Sequence, residues 1–178
     1  PGLLRRCRPL RLGSLPGLLV ALGANLPANP SDRKRLSVLE ALEATSRRFR
    51  WIDTAGSINQ QTVMQLLRML DAAVSGPITL VCDRARYFTC QAVKDLADQL
   101  GIELLYLPSY SPKLNLIERM WKFVKKTCLY SKHYDSFDAF CKAIRDCLKE
   151  SNHRHRKALS TLITQNFQLF DDVPLLAA

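Results

Sequence analysis

Two carboxylates stand out in this chain because of what precedes them. Asp83 ends the apolar run Ile78-Thr79-Leu80-Val81-Cys82. Glu118 follows Leu104-Leu105-Tyr106-Leu107-Pro108-Ser109-Tyr110-Ser111-Pro112 and then Asn115-Leu116-Ile117, with 34 residues separating the two acids. The first run reads as a strand, the second as strand, stiff loop and helix start. A strand end and a helix start that meet at the mouth of a sheet bring two acids within reach of a hard cation, and hard cations prefer carboxylate oxygen. Glu118 also has a plainer reading, since Asn115-x-x-Glu118 is a capping-box variant in which the carboxylate satisfies a backbone N–H.

The surrounding pattern supplies elements that position these acids. Leu36-Ser37-Val38-Leu39 and Phe49-Arg50-Trp51-Ile52 read as short strands of a hairpin, joined through Glu40 to Arg48 by a loop or an extended continuation. Ser57-Ile58-Asn59-Gln60 offers a helix start, and Ile58, Val63, Leu66, Leu67 and Leu70 form a stripe that lasts until Gly76-Pro77. After Asp83, Cys90 to Leu100 predicts an amphipathic helix closed by Gly101, and Ile102 to Leu107 a strand. This β-α-β order predicts a right-handed crossover and parallel pairing. Ligands collect at the carboxyl ends of such strands, where Asp83 sits. Pro108 and Pro112 stiffen the return loop, because each fixes its own φ and biases the residue before it toward extended geometry.

On the helix that follows, Leu114, Ile117, Trp121 and Val124 define a core face, and Glu118, Lys122, Lys125 and Lys126 the face beside it. An acid among lysines is commonly a surface ion pair of under ~1 kcal/mol; beside a cation ligand, the same lysines would hold phosphates. Two later stripes, Phe137, Phe140, Ile144, Cys147 and Leu148, then Leu159, Leu162, Ile163 and Phe167, predict further helices packed on the sheet. His153-Arg154-His155-Arg156-Lys157, and Tyr130 and Tyr134 beside Lys132 and His133, read either as solvated surface or as phosphate contacts.

At 178 residues, 47% of them hydrophobic, the chain can bury one core. Its net charge of +10 is regional: residues 1–50 carry ten basic and three acidic side chains, and residues 113–157 carry twelve and five. Such blocks fit a polyanionic partner, nucleic acid above all, with a solvated basic surface as the alternative. The six cysteines form no C-x-x-C pair and read as reduced thiols. Cys141, Cys147, His153 and His155 have no zinc-ligand spacing.

The first thirty residues lack either structural period. Arg5, Arg6, Arg8 and Arg11 precede Leu15-Pro16-Gly17-Leu18-Leu19-Val20-Ala21-Leu22-Gly23-Ala24, a run with a faint likeness to a secretory signal. Pro16, Gly17 and Gly23 interrupt it, and it is too short to span a bilayer as a helix. The expected organisation is an irregular basic segment over 1–31, a catalytic-type domain over 32–170 and a tail over 171–178.

Asp83-Arg84-Ala85-Arg86-Tyr87, the block from Gly101 through Pro108-Ser109-Tyr110-Ser111-Pro112-Lys113-Leu114-Asn115-Leu116-Ile117-Glu118-Arg119-Met120-Trp121-Lys122, and the gap between the two acids resemble bacterial insertion-sequence transposases of the mariner-like superfamily. The resemblance runs from about Asp32 to Phe170. It implies an α/β, ribonuclease-H-like mixed sheet with helices on both faces, and a site of two aspartates and a glutamate holding two divalent ions, Mg2+ or Mn2+. Asp83 would be the second acid and Glu118 the third. Lys113, Arg119, Lys122, Lys125 and Lys126 would meet DNA, both transposon ends and target. A homodimer, no membrane, and a bacterial cytoplasmic, nucleoid-associated location belong to the same expectation.

The chain departs from the family pattern in two ways. Arg84 and Phe88 stand where the family often has asparagine and histidine. The first aspartate, which the family carries on its first strand in a block like Asp-Ala-Ala-His-Phe-Val, is missing, and the neighbours of Asp32 and Asp53 do not match that block. The expected first strands are therefore degraded, metal binding weak and cleavage defective. One hypothesis accounts for the loss. Encoded CGA-TGC-CGC-CCA-CTT-CGT and read one base later, Arg6-Cys7-Arg8-Pro9-Leu10-Arg11 with the first base of Leu12 gives that block, so residues 1 to about 30 would be out of frame. A non-catalytic DNA-binding remnant and a secreted disulfide protein are the competing function classes. Sequencing the encoding DNA tests the frameshift; other codons at Arg6 to Arg11 overturn it.

Overall fold

A computed structural model describes residues 17–27, 34–44, 46, 48–107, 116–130 and 132–155. Its core is a five-stranded mixed sheet of β1 (Leu18–Pro27), β2 (Arg35–Glu43), β3 (Phe49–Thr54), β4 (Ile78–Cys82) and β5 (Ile102–Tyr106), in the order β3-β2-β1-β4-β5. The first three strands form an antiparallel meander; β4 joins β1 in parallel and β5 joins β4 in parallel. The expected hairpin and the expected parallel β-α-β unit are both present. The stretch after Leu39 is an extended continuation of β2 rather than a loop.

β1 corrects two expectations. The segment 1–31 was expected to be irregular and outside the core, and the first strands degraded, yet residues 18–27 form the central strand and β1 to β3 pair along their lengths. Leu19, Ala21 and Leu26 are buried. The reason lies in the sequence pattern, because a strand covered on both faces is apolar throughout and shows no alternation. Gly23 fits for a packing reason, since a Cβ there would stand 2.5 Å from Ile58 Cδ1 and 2.9 Å from the Tyr87 hydroxyl. Residues 18–27 thus belong to the same sheet as β2 to β5. Residues 1–16, the 6–11 block, Asp32 and the 171–178 tail lie outside the described residues.

Helices cover both faces. α1 (Gln60–Ala73) starts at Asn59, whose side chain accepts from the backbone N–H groups of Gln61 and Thr62, while the Thr62 hydroxyl answers the Asn59 N–H. It buries Val63, Leu66, Leu67 and Leu70, and α3 (Gln91–Gln99) buries Val93, Leu96 and Ala97, against Leu19, Ala21, Leu39, Ala41, Leu80 and Cys82. A four-residue turn, α2 (Arg86–Thr89), precedes α3 and sinks Phe88 into the same cluster. On the other face α4 (Leu116–Val124), continued by a π-helical turn over Lys125–Leu129, and α5 (Phe137–Ser151) pack on Val20, Leu26, Val38, Leu42 and Val81. Leu114 and the stripe from Leu159 to Phe167 lie outside the described residues.

α5 also closes the β3 edge. The Phe49 N–H donates to Asn152 Oδ1 at 2.8 Å, and Asn152 Nδ2 donates to the Phe49 carbonyl at 2.9 Å, so one amide satisfies both backbone groups of an edge residue. Amide hydrogen exchange checks the position of β1: amides from Leu19 to Leu26 are expected among the slowest in the chain, whereas exchange as fast as in an unstructured peptide would contradict a central strand.

Candidate carboxylate site and basic helix

Position 83 follows β4 directly. Val81 belongs to the α4/α5 cluster and Leu80 and Cys82 to the α1/α3 cluster. Position 83 is the first residue past the strand, outside the ladder with β5. Asp83 is half-buried, and its Oδ1 accepts from the Ala85 N–H at 3.1 Å, which turns the chain into α2. Two neighbours are affected. Burial, and then the Asp83 charge, push the Cys82 thiol and the Tyr87 hydroxyl up to about 12. Cys82 is thus a protonated core thiol at neutral pH.

Glu118 lies in the first turn of α4, on the helix that buries Ile117, Met120, Trp121 and Val124 against this same sheet face. Its side chain, that of Arg119, and all of Lys113 fall outside the described residues. Lys122, Lys125 and Lys126 are exposed on α4 and its π-helical continuation. The helix that carries Glu118 packs on the sheet face to which Val81 of β4 belongs.

The other singled-out residues divide. Phe88 is core. Arg84 is exposed and lowers the pull that burial exerts on the Tyr106 hydroxyl, which donates to the Phe88 carbonyl at 3.0 Å. Asp53 sits on edge strand β3 and receives Arg145 Nη2 at 2.7 Å and Nε at 3.0 Å, which occupies it as an ion-pair partner far from β4. Tyr134 donates to the Cys128 carbonyl and packs edge-on against Phe140, so it is structural, whereas Tyr130 is exposed. His155 pairs with Glu150 at 3.2 Å and stacks edge-on with Phe123. The five described cysteines are free thiols, and among the described residues no three His, Cys, Asp or Glu side chains form a metal cluster.

A three-acid site also needs a carboxylate on β1. The β1–β4 ladder runs Leu18↔Thr79, Leu19↔Leu80, Val20↔Val81, which makes β1 the strand beside β4. β1 contains no Asp or Glu at all. The described residues therefore do not complete a two-metal site.

One acid escaped the sequence reading. Glu40 on β2 pairs with Leu22 of β1, lies on the Val38/Leu42 side and hence faces α4, and is 0% exposed. Neither carboxylate oxygen has a hydrogen-bond partner among the described residues, and Trp121 Nε1, on the helix covering this face, is likewise buried without one. Burial raises the Glu40 carboxyl well above its ordinary value. The signal available was an acid at an inward position of Leu36-x-Val38-x-Glu40-x-Leu42, missed because the stretch from Glu40 was read as either a loop or an extended continuation, without assigning Glu40 a face.

Residues 24–141, more than half of the chain, match the DDE superfamily endonuclease family. The chain belongs to that family. The Mos1 transposase catalytic domain solved with raltegravir and Mn is similar at a TM-score of 0.60 and 14% identity, covering 87% of this chain and 85% of that one. The catalytic domain of Mos1 mariner transposase gives 0.56 and 15%, covering 83% of each chain. A simian T-cell lymphotropic virus intasome structure gives 0.58 and 17%, covering 79% of this chain and 50% of that one. At these identities the likeness is one of fold, and that fold is ribonuclease-H-like. No curated protein sequence matches the chain. Among the described residues no helix is long and apolar enough to cross a membrane.

Glu40 makes the DDE domain's stability depend on pH in a stated direction. Its folded pKa is raised, so no penalty exists below the unfolded value near 4.5, and stability falls as pH rises toward the folded pKa. The slope is about 1.4 kcal/mol per pH unit over that window. Glu40→Gln is expected to melt several degrees above the unsubstituted protein at pH 7.5 and to converge with it near pH 4; parallel melting profiles across that range would contradict the buried carboxyl.

Proposed function

We propose that this chain is the catalytic domain of a DDE-type transposase, of bacterial insertion-sequence origin, that binds DNA but has lost efficient strand cleavage. Family membership supplies the reaction class, namely phosphodiester cleavage and strand transfer with Mg2+ or Mn2+. Asp83 and Glu118 are the two acids assigned to it. The observation that carries the reading is the match of residues 24–141 to the DDE superfamily endonuclease family, together with a β1 that contains no acid.

Lys113, Arg119, Lys122, Lys125 and Lys126 form the DNA-facing set. Lys122, Lys125 and Lys126 lie exposed along α4 and its continuation, and this spacing suits successive backbone phosphates better than base edges. Transposon-end and target DNA are the partners, a homodimer the assembly, and the bacterial cytoplasm with its nucleoid the location. The second reading, a DNA-binding remnant with no cleavage at all, is favoured specifically by the missing β1 acid. No cleavage step is assigned, because the acids present do not make a complete site.

The two readings part in a single set of assays. DNA binding is expected to weaken as salt rises, and replacing Lys122, Lys125 and Lys126 together by Gln should lower the slope of log K against log salt by about 2.7. Asp83→Ala should leave that binding unchanged. A salt-independent affinity would remove the DNA-binding proposal, and efficient magnesium-dependent nicking abolished by Asp83→Ala would remove the proposed loss of cleavage.

A further inference from the structure

We infer that Cys128 and Cys147 form a peroxide-reactive dithiol site where the π-helical turn meets α5, and that oxidation closes it to a disulfide tying the two elements together. Cys128 lies in the turn Lys125–Leu129 and Cys147 on α5, and both are buried in the cluster that joins these elements. The turn packs directly on α5. Both thiols are reduced here, and both line one cavity of about 210 Å³ whose wall includes Lys132, Tyr134, Glu150 and His155. One water molecule occupies roughly 30 Å³ of liquid, so hydrogen peroxide fits beside the two sulfurs. The backbone at Cys128 is fixed, because the Tyr134 hydroxyl donates to its carbonyl and the Tyr130 N–H donates to the Lys125 carbonyl at 2.9 Å. Single π-helical turns recur at functional sites.

The surroundings give the sulfurs different tasks. The thiolate, not the thiol, is the nucleophile. A hydrogen bond from the Cys147 thiol holds the Cys128 thiol below its ordinary range against the opposing effect of burial, and the Lys132 charge acts in the same direction as the hydrogen bond. Glu150 acts the other way, but its carboxylate is engaged by His155 at 3.2 Å. The same hydrogen bond and burial keep Cys147 protonated. Cys128 is therefore the attacking sulfur and Cys147 the resolving one. In the first step the Cys128 thiolate attacks one peroxide oxygen, the O–O bond breaks, and hydroxide leaves and takes up the proton that Cys128 had released. In the second, the Cys147 sulfur displaces the oxygen of the Cys128 sulfenic acid, forming the S–S bond and a second water. Two thiols and one peroxide thus give one disulfide and two waters. Cys82 and Cys141 are instead raised, chiefly by burial, and do not line this cavity.

Peptide mapping of the whole folded chain after brief treatment with hydrogen peroxide tests the site. The unsubstituted protein should yield a peptide pair joined through Cys128 and Cys147, lighter by two hydrogens and reopened by dithiothreitol, with Cys82 and Cys141 still alkylated as free thiols. Cys147→Ser should leave a Cys128 sulfenic acid that dimedone labels, whereas Cys128→Ser should leave Cys147 unlabelled. Lys132→Gln should slow disulfide formation severalfold near neutral pH; an unchanged rate would overturn the role of Lys132. Should either serine variant fail to fold by circular dichroism, the mapping of the unsubstituted protein decides alone. Recovery of Cys128 and Cys147 as free thiols, or pairing only among other cysteines, would overturn the dithiol site, and dimedone label on Cys147 would overturn the division of roles.

Discussion

The register of β1 between β2 and β4 governs the rest of the molecule. Side chains alternate along a strand with a period of two, so the pairing of Leu22 with Glu40 and of Val20 with Val81 decides which face each neighbour serves. A slip of one residue in β2 would send the Glu40 carboxyl toward α1 and α3, into a cluster of Leu19, Leu39, Leu66, Leu80 and Phe88 with no place for charge. The actual register sends it toward α4. Docking of that helix through Ile117, Met120, Trp121 and Val124 then sets where the residue at 118 begins its turn.

The two faces of the sheet accordingly do different work. The α1/α3 face is apolar, and its burial supplies cohesion; each fully buried leucine there contributes about 1.5–3 kcal/mol. The α4/α5 face combines cohesion with charge, carrying Glu40 beneath it and exposed lysines on its outer surface. The α5 contacts to β3 through Asn152 and Arg145 hold the far edge of the sheet, and Asp53 is committed to that structural task. Carboxylates thus divide between the edge ion pair of Asp53, the half-buried turn at Asp83 and the interior at Glu40.

Much of this was legible from residue pattern. Period 3.6 in Val63, Leu66, Leu67 and Leu70 marked α1, the Phe140-Ile144-Cys147-Leu148 stripe marked α5, and the run ending in Asp83 marked β4 and the parallel crossover that follows. β1 was not legible, because a strand buried on both faces has no alternation and its glycines read as breakers. Glu40 was not legible either: an inward-facing acid contradicts the rule that reads charge as solvent-facing, and only the pairing of β2 on both sides shows it enclosed. Local pattern reports which residues a backbone prefers, whereas the enclosure of Glu40 is made by strands and a helix far apart along the chain.

The central claim, that the register of β1 against β2 and β4 decides which face of the sheet each neighbour serves, is tested most directly by a crystal structure of the chain. The account predicts Leu22 opposite Glu40 and Val20 opposite Val81, with the Glu40 carboxyl enclosed beneath α4. A register shifted by one residue, or a Glu40 carboxyl open to solvent, would contradict it.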